Sequence, residues 1–438
     1  MIAQEIATGG RGSEMSHTWH GARHPAPTWS EARQFAFDCA TPLLPVCLPL
    51  ASASGRTLTR DVAAVQNLPH YSSSAMDGWA VNGSGPWILS RQGRTLSRDE
   101  ATTIATGGLV PRGAQSILRK ESGQITRGPE GNLLLALDQH AKHGEPRPGQ
   151  HIRHAGEEAS AGEVLIPAGT LLNPAHLALA AMAGYDELQV QAQPVVAIVL
   201  TGSEVLTAGV PGPGQVRDTF GPQLGTVISI LGGTPGNPLR IDDSYDEWIT
   251  ALGNSEALPG QQPDLTITTG GTGRSGTDHL RAAVAALGGR LLLDGVAMRP
   301  GHPAVLAELP DGRFVVGLPG NPLAAMMSFT TLVEPLLAAL GNRPLNAVGH
   351  VTSGADVDPD PGRTRLIPCK FIHGLAFPTS RSGPGMMRGL AWADGVMAVP
   401  PEGVQSGEPV PVLPLPWTQS HETIVSANNR ARSAAWHA

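Results

Sequence analysis

Residues 265–278 read Leu-Thr-Ile-Thr-Thr-Gly-Gly-Thr-Gly-Arg-Ser-Gly-Thr-Asp, an apolar β-branched run that opens into a glycine loop and leads into a helical pattern. A strand delivering its carboxyl end to such a loop, with a helix after it, is the repeating unit of an α/β sheet. The flanking chain repeats it. A buried strand over 195–200 meets a Thr201-Gly202 turn, and Asp218 precedes a helix that ends at Gly232-Gly233. Ser244 and Glu247 have capping spacing for a further helix, and 278–287 reads as helix. Strands follow over 291–293, 304–309 and 314–317, before an apolar helix over 322–340 that carries Glu334 and Pro335 and so reads as buried rather than membrane-spanning. The alternation predicts a mostly parallel sheet covered on both faces.

The rest of the chain has a different texture. Thr28-Trp29-Ser30-Glu31 has the capping-box pattern and starts a helix running to about Cys39, followed by a strand-like run over 57–65. From 68 to 149, short alternating runs (79–81, 115–119, 133–137) between Gly, Pro and Asn mark a small β domain. Asn173-Pro174 opens a helix that Gly184 closes. Short apolar runs at 395–399 and 410–415 predict a small β-barrel or sandwich. The expected partition is a mobile tail over 1–26; a discontinuous domain from 27–67 and 150–192; an inserted β-rich domain over 68–149; an α/β domain over 193–342; a β-barrel domain over 343–417; and a mobile tail over 418–438. The 438 residues suffice for such a multidomain chain at about 100–200 residues per domain.

Charge narrows the function. Thirty Lys+Arg against 37 Asp+Glu give a net charge of −7, so no overall field draws the chain to nucleic acid or to a membrane surface. Only Lys120, Lys142 and Lys370 are lysines, so an anion site must rely on Arg, backbone N–H groups or a metal. Cys39, Cys47 and Cys369 form no C-x-x-C pair, which fits a reducing compartment, and the amino terminus has no signal-peptide pattern; the expected location is cytoplasmic.

Three strand-to-helix junctions are furnished for anions: Thr201-Gly202-Ser203-Glu204, Thr269 through Asp278, and Leu318-Pro319-Gly320-Asn321-Pro322. Gly271 to Gly276 also satisfies G-x-G-x-x-G, with Asp294 at the end of the next strand, as a dinucleotide fingerprint requires. Asp278 argues against that reading. A carboxylate about 4 Å from a phosphate charge, at an effective dielectric of about 20, costs about 4 kcal/mol unless a divalent cation lies between them. Glu204, Asp218 and the Asp242-Asp243 pair lie near comparable turns and suit Mg²⁺ with phosphate oxygens. No G-K-[ST] P-loop, H-E-x-x-H, Ser/His/Asp order or Cys/His ligand set occurs.

These junctions, with Ser74-Ala75-Met76-Asp77-Gly78-Trp79-Ala80, Thr106-Gly107-Gly108, Arg299-Pro300-Gly301-His302-Pro303 and Leu318 to Pro322, resemble the molybdopterin molybdenumtransferase (MoeA and gephyrin E-domain) family over about residues 27–416. The resemblance implies an α/β multidomain protein: a central three-layer α/β molybdopterin-binding domain, MogA-like, with an inserted β-rich domain, a discontinuous dimerisation domain and a C-terminal β-barrel. It also implies a homodimer. The implied reaction is Mg²⁺-dependent insertion of molybdate into adenylylated molybdopterin with release of AMP. Implied catalytic residues are Asp77, Glu204, Asp242 and Asp278, with Asp242 and Asp278 at the metal. Asp77 and Thr106 are implied to face the cleft from the partner subunit. Thr201, Gly202, Ser203, Asp218, Gly270, Gly271, Thr272, Gly273, Ser275, Arg299, Pro300, Gly301, Pro319, Gly320, Asn321 and Pro322 are implied to hold the pterin or molybdate. A molybdopterin adenylyltransferase and molybdoenzyme-maturation proteins are the implied partners. The chain departs from the family pattern at Thr272-Gly273-Arg274-Ser275, at Asp218-Thr219-Phe220, at Ala155-Gly156-Glu157-Glu158 and at Gly295. A divergent binding or scaffold relative, and an NAD(P)-binding oxidoreductase, are the other readings these residues allow.

Overall fold

The computed structural model describes residues 26–129, 131–253, 256–273 and 278–418. The expected tails therefore lie almost wholly outside the described residues. Two compact units are formed, one from the chain up to Leu43 and from Ala192 onward, the other Leu44–Gln191.

The first unit is organised by a seven-stranded sheet in the order Thr234–Pro235, Val195–Thr201, Leu265–Thr269, Phe314–Leu318, Val305–Glu308 and Arg290–Asp294, with Leu239–Ile241 also paired to Val195–Thr201. The pairings around Val195–Thr201 and Leu265–Thr269 are parallel, as expected. The strands at Arg290–Asp294 and Val305–Glu308 are antiparallel instead. The short Asp311-Gly312 connection explains one of these pairings, because a tight turn can join only antiparallel neighbours. Side-chain alternation divides the strands between two cores. Val196, Ile198, Leu200, Ile267 and Val316 pack with the helices Gly221–Ile230 and Pro322–Leu340. Val199, Val305, Ala307 and Val315 pack with Tyr245–Gly253 and Leu280–Ala286. Three layers result.

Pro322–Leu340 is long and apolar enough to cross a membrane, with mean hydropathy 1.6, but beyond Pro322 it is buried inside this unit. It passes through a π turn at Phe329–Val333. Pro335 has no N–H to give back to that turn, and Arg33 of the helix Trp29–Asp38 donates to the Thr330 carbonyl there. Arg33 and Glu334 are both about 2% exposed and lie 3.7 Å apart, Asn346 Nδ2 donates to Glu334 at 2.7 Å, and the Arg33 guanidinium lies 5.5 Å from the Trp29 ring. The capping box that starts the Trp29–Asp38 helix is formed, with Thr28 N–H donating to Glu31 at 2.8 Å.

The carboxyl-terminal part of this unit is a closed barrel. Thr364–Ile372 pairs with both Leu375–Pro378 and Gly395–Val399, and Gly349–Ser353 and Pro409–Pro414 complete the ring. Met298–Arg299 leaves the α/β sheet and adds to this barrel beside Thr364 and Arg365.

In the other unit, a six-stranded sheet runs in the order Ser116–Arg119, Gly78–Val81, Glu100–Ile104, Trp87–Leu89, Leu133–Leu137 and Gly123–Arg127 around fully buried Trp87. The helix Pro174–Met182 has its Asn173 cap and ends before Gly184. The continuous strand expected over 57–65 is only Val62–Ala63 with isolated bridges at Thr57 and Leu58, because Arg60 and Asp61 turn away from any partner strand. The three cysteines are unpaired, and burial pushes the Cys39 and Cys369 thiols up to about 12.

Removing one member of the buried Arg33–Glu334 pair strands the other in an apolar core. Glu334→Ala is expected to destabilise this unit by about 3–5 kcal/mol, read as a lower denaturation midpoint. The joint change Arg33→Met with Glu334→Leu should recover most of the loss.

Candidate functional site

The parallel register levels the strand ends: Leu200 lies opposite Thr269, and Thr269 opposite Leu318. Their three loops therefore open side by side around one cavity of about 650 Å³. Of the residues singled out from sequence, Thr201, Gly202, Glu204, Asp218, Gly270, Gly271, Asp278, Gly320, Asn321 and Pro322 line it. Thr201 Oγ donates to the Thr269 carbonyl at 2.6 Å, and Gly270 N–H donates to the Leu318 carbonyl at 2.9 Å, so the loops are tied to one another. Gly271 sits at φ +64, and a Cβ there would lie 2.5 Å from the buried Trp248 ring. Only glycine lets this backbone lie on the indole.

Arg281 anchors the glycine loop from below. Its Nη1 donates to the Thr272 and Gly273 carbonyls, both at 2.8 Å, while Nε and Nη2 donate to Asp294 at 2.8 and 2.6 Å. Asp294, the acid a dinucleotide ribose would need, thus faces an arginine. Asp278 accepts from Gly273 N–H at 2.9 Å, and the helix starts at Leu280, two residues later than the expected 278. Ser275, with Arg274, Gly276 and Thr277, lies outside the described residues.

Asp243 lines the cavity, whereas Asp242 does not. Glu247 was expected to cap its helix at Ser244. It reaches past that residue to accept from Asp242 N–H at 2.7 Å. Partial desolvation, and then the Glu204 charge, push the Asp243 carboxyl up, against a hydrogen bond from Ser203 N–H. Two carboxylates that repel one another across a cavity provide hard oxygen donors of the kind Mg²⁺ takes, so the donor chemistry fits that ion. Among the described residues no group of three or more His, Cys, Asp or Glu is assembled to hold a metal alone, so ligand and water oxygens would have to complete the shell.

Burial pushes Asp218 up, but N–H groups of Gly221 and Phe220 and the Arg240 guanidinium outweigh it and hold the carboxyl below its ordinary value. Arg240 also lines the cavity, and sequence reading missed it. Its only signal was its place two residues before Asp242, on a strand. Gly385, from the barrel, lines the cavity as well and gave no signal at all. Beside it, the Pro384 carbonyl accepts from Leu323 and Ala324 N–H at 2.9 and 3.2 Å. Two N–H donors in the first turn of the helix that follows the Leu318–Pro322 junction are therefore taken by the barrel.

Other expected residues stand apart from the cavity. Ser203, Thr272, Gly273 and Pro319 support its loops without lining it, and Thr272 is buried. Arg299, Pro300 and Gly301 follow the barrel edge; the Arg299 guanidinium lies 3.4 Å from Asp360, and Gly301 backs onto Met298 and Ser328. In the other unit, Asp77 accepts from Thr106 N–H at 2.7 Å and from its hydroxyl at 2.9 Å, and these two bonds pull its carboxyl below the ordinary value.

Gly271→Ala is expected to destabilise the protein by about 1–3 kcal/mol through strain and overlap with Trp248. Gly320→Ala, whose nearest neighbour is 3.9 Å away, should melt as wild type; thermal denaturation distinguishes them. A raised carboxyl favours the native state below the unfolded value and loses that contribution as pH rises. Asp243→Asn should therefore raise the midpoint of the ligand-free protein at neutral pH and flatten its dependence across the carboxylate range.

Comparison with known proteins identifies the family. Residues 28–184 match the family MoeA N-terminal region (domain I and II), residues 197–339 the probable molybdopterin binding domain, and residues 350–415 the MoeA C-terminal region (domain IV). A molybdopterin molybdenumtransferase of Nostoc sp. is 31% identical over 67% of this chain and 68% of its own length. One of Haemophilus influenzae is 30% identical, over 67% and 72% respectively. A molybdopterin biosynthesis moea protein from Pyrococcus horikosii has the same fold, with TM-score 0.68 and 24% identity, covering 89% of this chain and 99% of that one. This chain belongs to the molybdopterin molybdenumtransferase (MoeA) family.

Proposed function

We propose that this protein inserts molybdate into adenylylated molybdopterin in a Mg²⁺-dependent reaction that releases AMP. Molybdenum insertion in molybdenum cofactor biosynthesis follows from the family; adenylylation, Mg²⁺ and AMP release are the finer part of the proposal. The observation that supports it is the meeting, in one cavity, of the Thr201-Gly202, Gly270-Gly271 and Gly320-Asn321 backbones with Glu204, Asp243 and Asp278. Backbone corners of this kind hold phosphates, while acids beside them would repel a polyanion without a cation.

In this reading Glu204, Asp243 and Asp278, which border the cavity, would share Mg²⁺ with ligand and water oxygens, and the ion when bound would neutralise charge on the phosphoanhydride; Asp242, outside the cavity, would not reach it. The glycine corners orient the pterin and exclude bulk water. Arg299 attracts molybdate from the barrel edge. Asp77 and Thr106 complete the cleft from a second subunit, which makes the working form a homodimer. The protein acts in the cytoplasm, between a molybdopterin adenylyltransferase and the proteins that load molybdoenzymes.

The test loads the protein with adenylylated molybdopterin, adds molybdate and Mg²⁺, and follows AMP. Wild type should release it. Glu204→Gln and Asp278→Ala should each slow release by about 100-fold or more. Full release by both variants would defeat the assignment of these acids, and no release by wild type would favour a binding or scaffold role.

A further inference from the structure

Two cations border the cavity among the described residues, Arg217 and Arg240. Arg217 Nη1 donates to the Leu206 carbonyl at 2.8 Å and so lies along its own short strand pair. Arg240 is placed differently. The register sets it opposite Leu200, one residue before Thr201 opens the first loop, so it emerges at the cavity's strand-end rim. One Nη2 donor reaches Asp218, whose side chain is only 6% exposed. Asp218 is in turn held by the backbone: Phe220 N–H donates to Oδ1 at 2.9 Å, and Gly221 N–H lies 3.1 and 3.2 Å from the two oxygens. What Asp218 does is fix a guanidinium, whose planar fork has five donors and uses one of them on this carboxylate.

We propose that Arg240 is the ligand-contacting residue that reads the pterin's own phosphate in this cavity, joined to AMP in the adenylylated substrate and a monoester once AMP has left, and that Asp218 is its positioning residue. The inference rests on the molybdopterin reading above and adds to it a specific recognition element. A guanidinium held at one end presents its remaining N–H groups in a fixed plane, the geometry that suits two oxygens of one phosphate. In a chain with three lysines, this task falls to arginine.

The test compares equilibrium binding of purified molybdopterin and of enzymatically dephosphorylated molybdopterin to the full chain. Wild type should prefer the phosphorylated form. Arg240→Met should lose about 10- to 100-fold in affinity for that form and keep its affinity for the dephosphorylated one. Arg240→Lys should recover only part of the loss, and Asp218→Asn should weaken the phosphorylated form alone. The double variant Asp218→Asn/Arg240→Met removes both charges together, and so guards against misfolding caused by a stranded buried carboxylate; it should behave as Arg240→Met does. Equal weakening of both ligands, or no weakening, with wild type still binding, overturns the role of Arg240 and leaves the molybdopterin reading standing. Wild type that binds neither form overturns that reading and this inference together.

Discussion

The parallel register of Val195–Thr201, Leu265–Thr269 and Phe314–Leu318 governs what this protein can bind. Strands that run the same way and stop level must release their loops on one edge, and each loop must then turn toward a helix on one face or the other. The backbone N–H groups and the acids of the site reach one cavity for this reason alone, since they are distant in sequence. The antiparallel pair at Arg290–Asp294 and Val305–Glu308 takes no part in that convergence. It widens the sheet and places Asp294 beneath the glycine loop, where Arg281 connects the two.

The electrostatics of the cavity follow from how each carboxylate is employed. Asp218 is held by backbone N–H groups and by Arg240, Asp278 accepts from Gly273, and Asp243 is left at odds with Glu204. Acids gathered at one cavity thus have separate tasks, one orienting a cation, one shaping backbone and one accumulating negative potential. A polyanionic ligand meets both signs of charge here, and the protein itself carries one of the cations required.

Much of this was legible in the chain because it is local. Glycine after a β-branched run, a proline at a first helical turn, and Thr28 three residues before Glu31 each act within a few residues, and each sits as expected. Several misses come from how separate elements approach one another. Glu247 passes over Ser244 to Asp242 because the approaching strand sets where the N–H points. Arg240 matters through an acid 22 residues earlier, and Gly385 through a barrel loop about sixty residues after the first turn of the helix it approaches. Arg299 sits in a well-marked motif, yet its strand crosses to the barrel, a choice made by pairing with Thr364 and Arg365 and invisible to spacing.

The Pro384 carbonyl over Leu323 and Ala324 has a consequence for how such a protein can be rearranged. A helix that completes its own opening turn with a side chain can be moved between chains as a self-sufficient piece. Asn321 makes no such bond here, so the longest helix of the α/β layer depends on an acceptor owned by its neighbour. The two parts must travel together through recombination and insertion, and a change in the barrel loop is felt at the rim of a cavity that the barrel only borders.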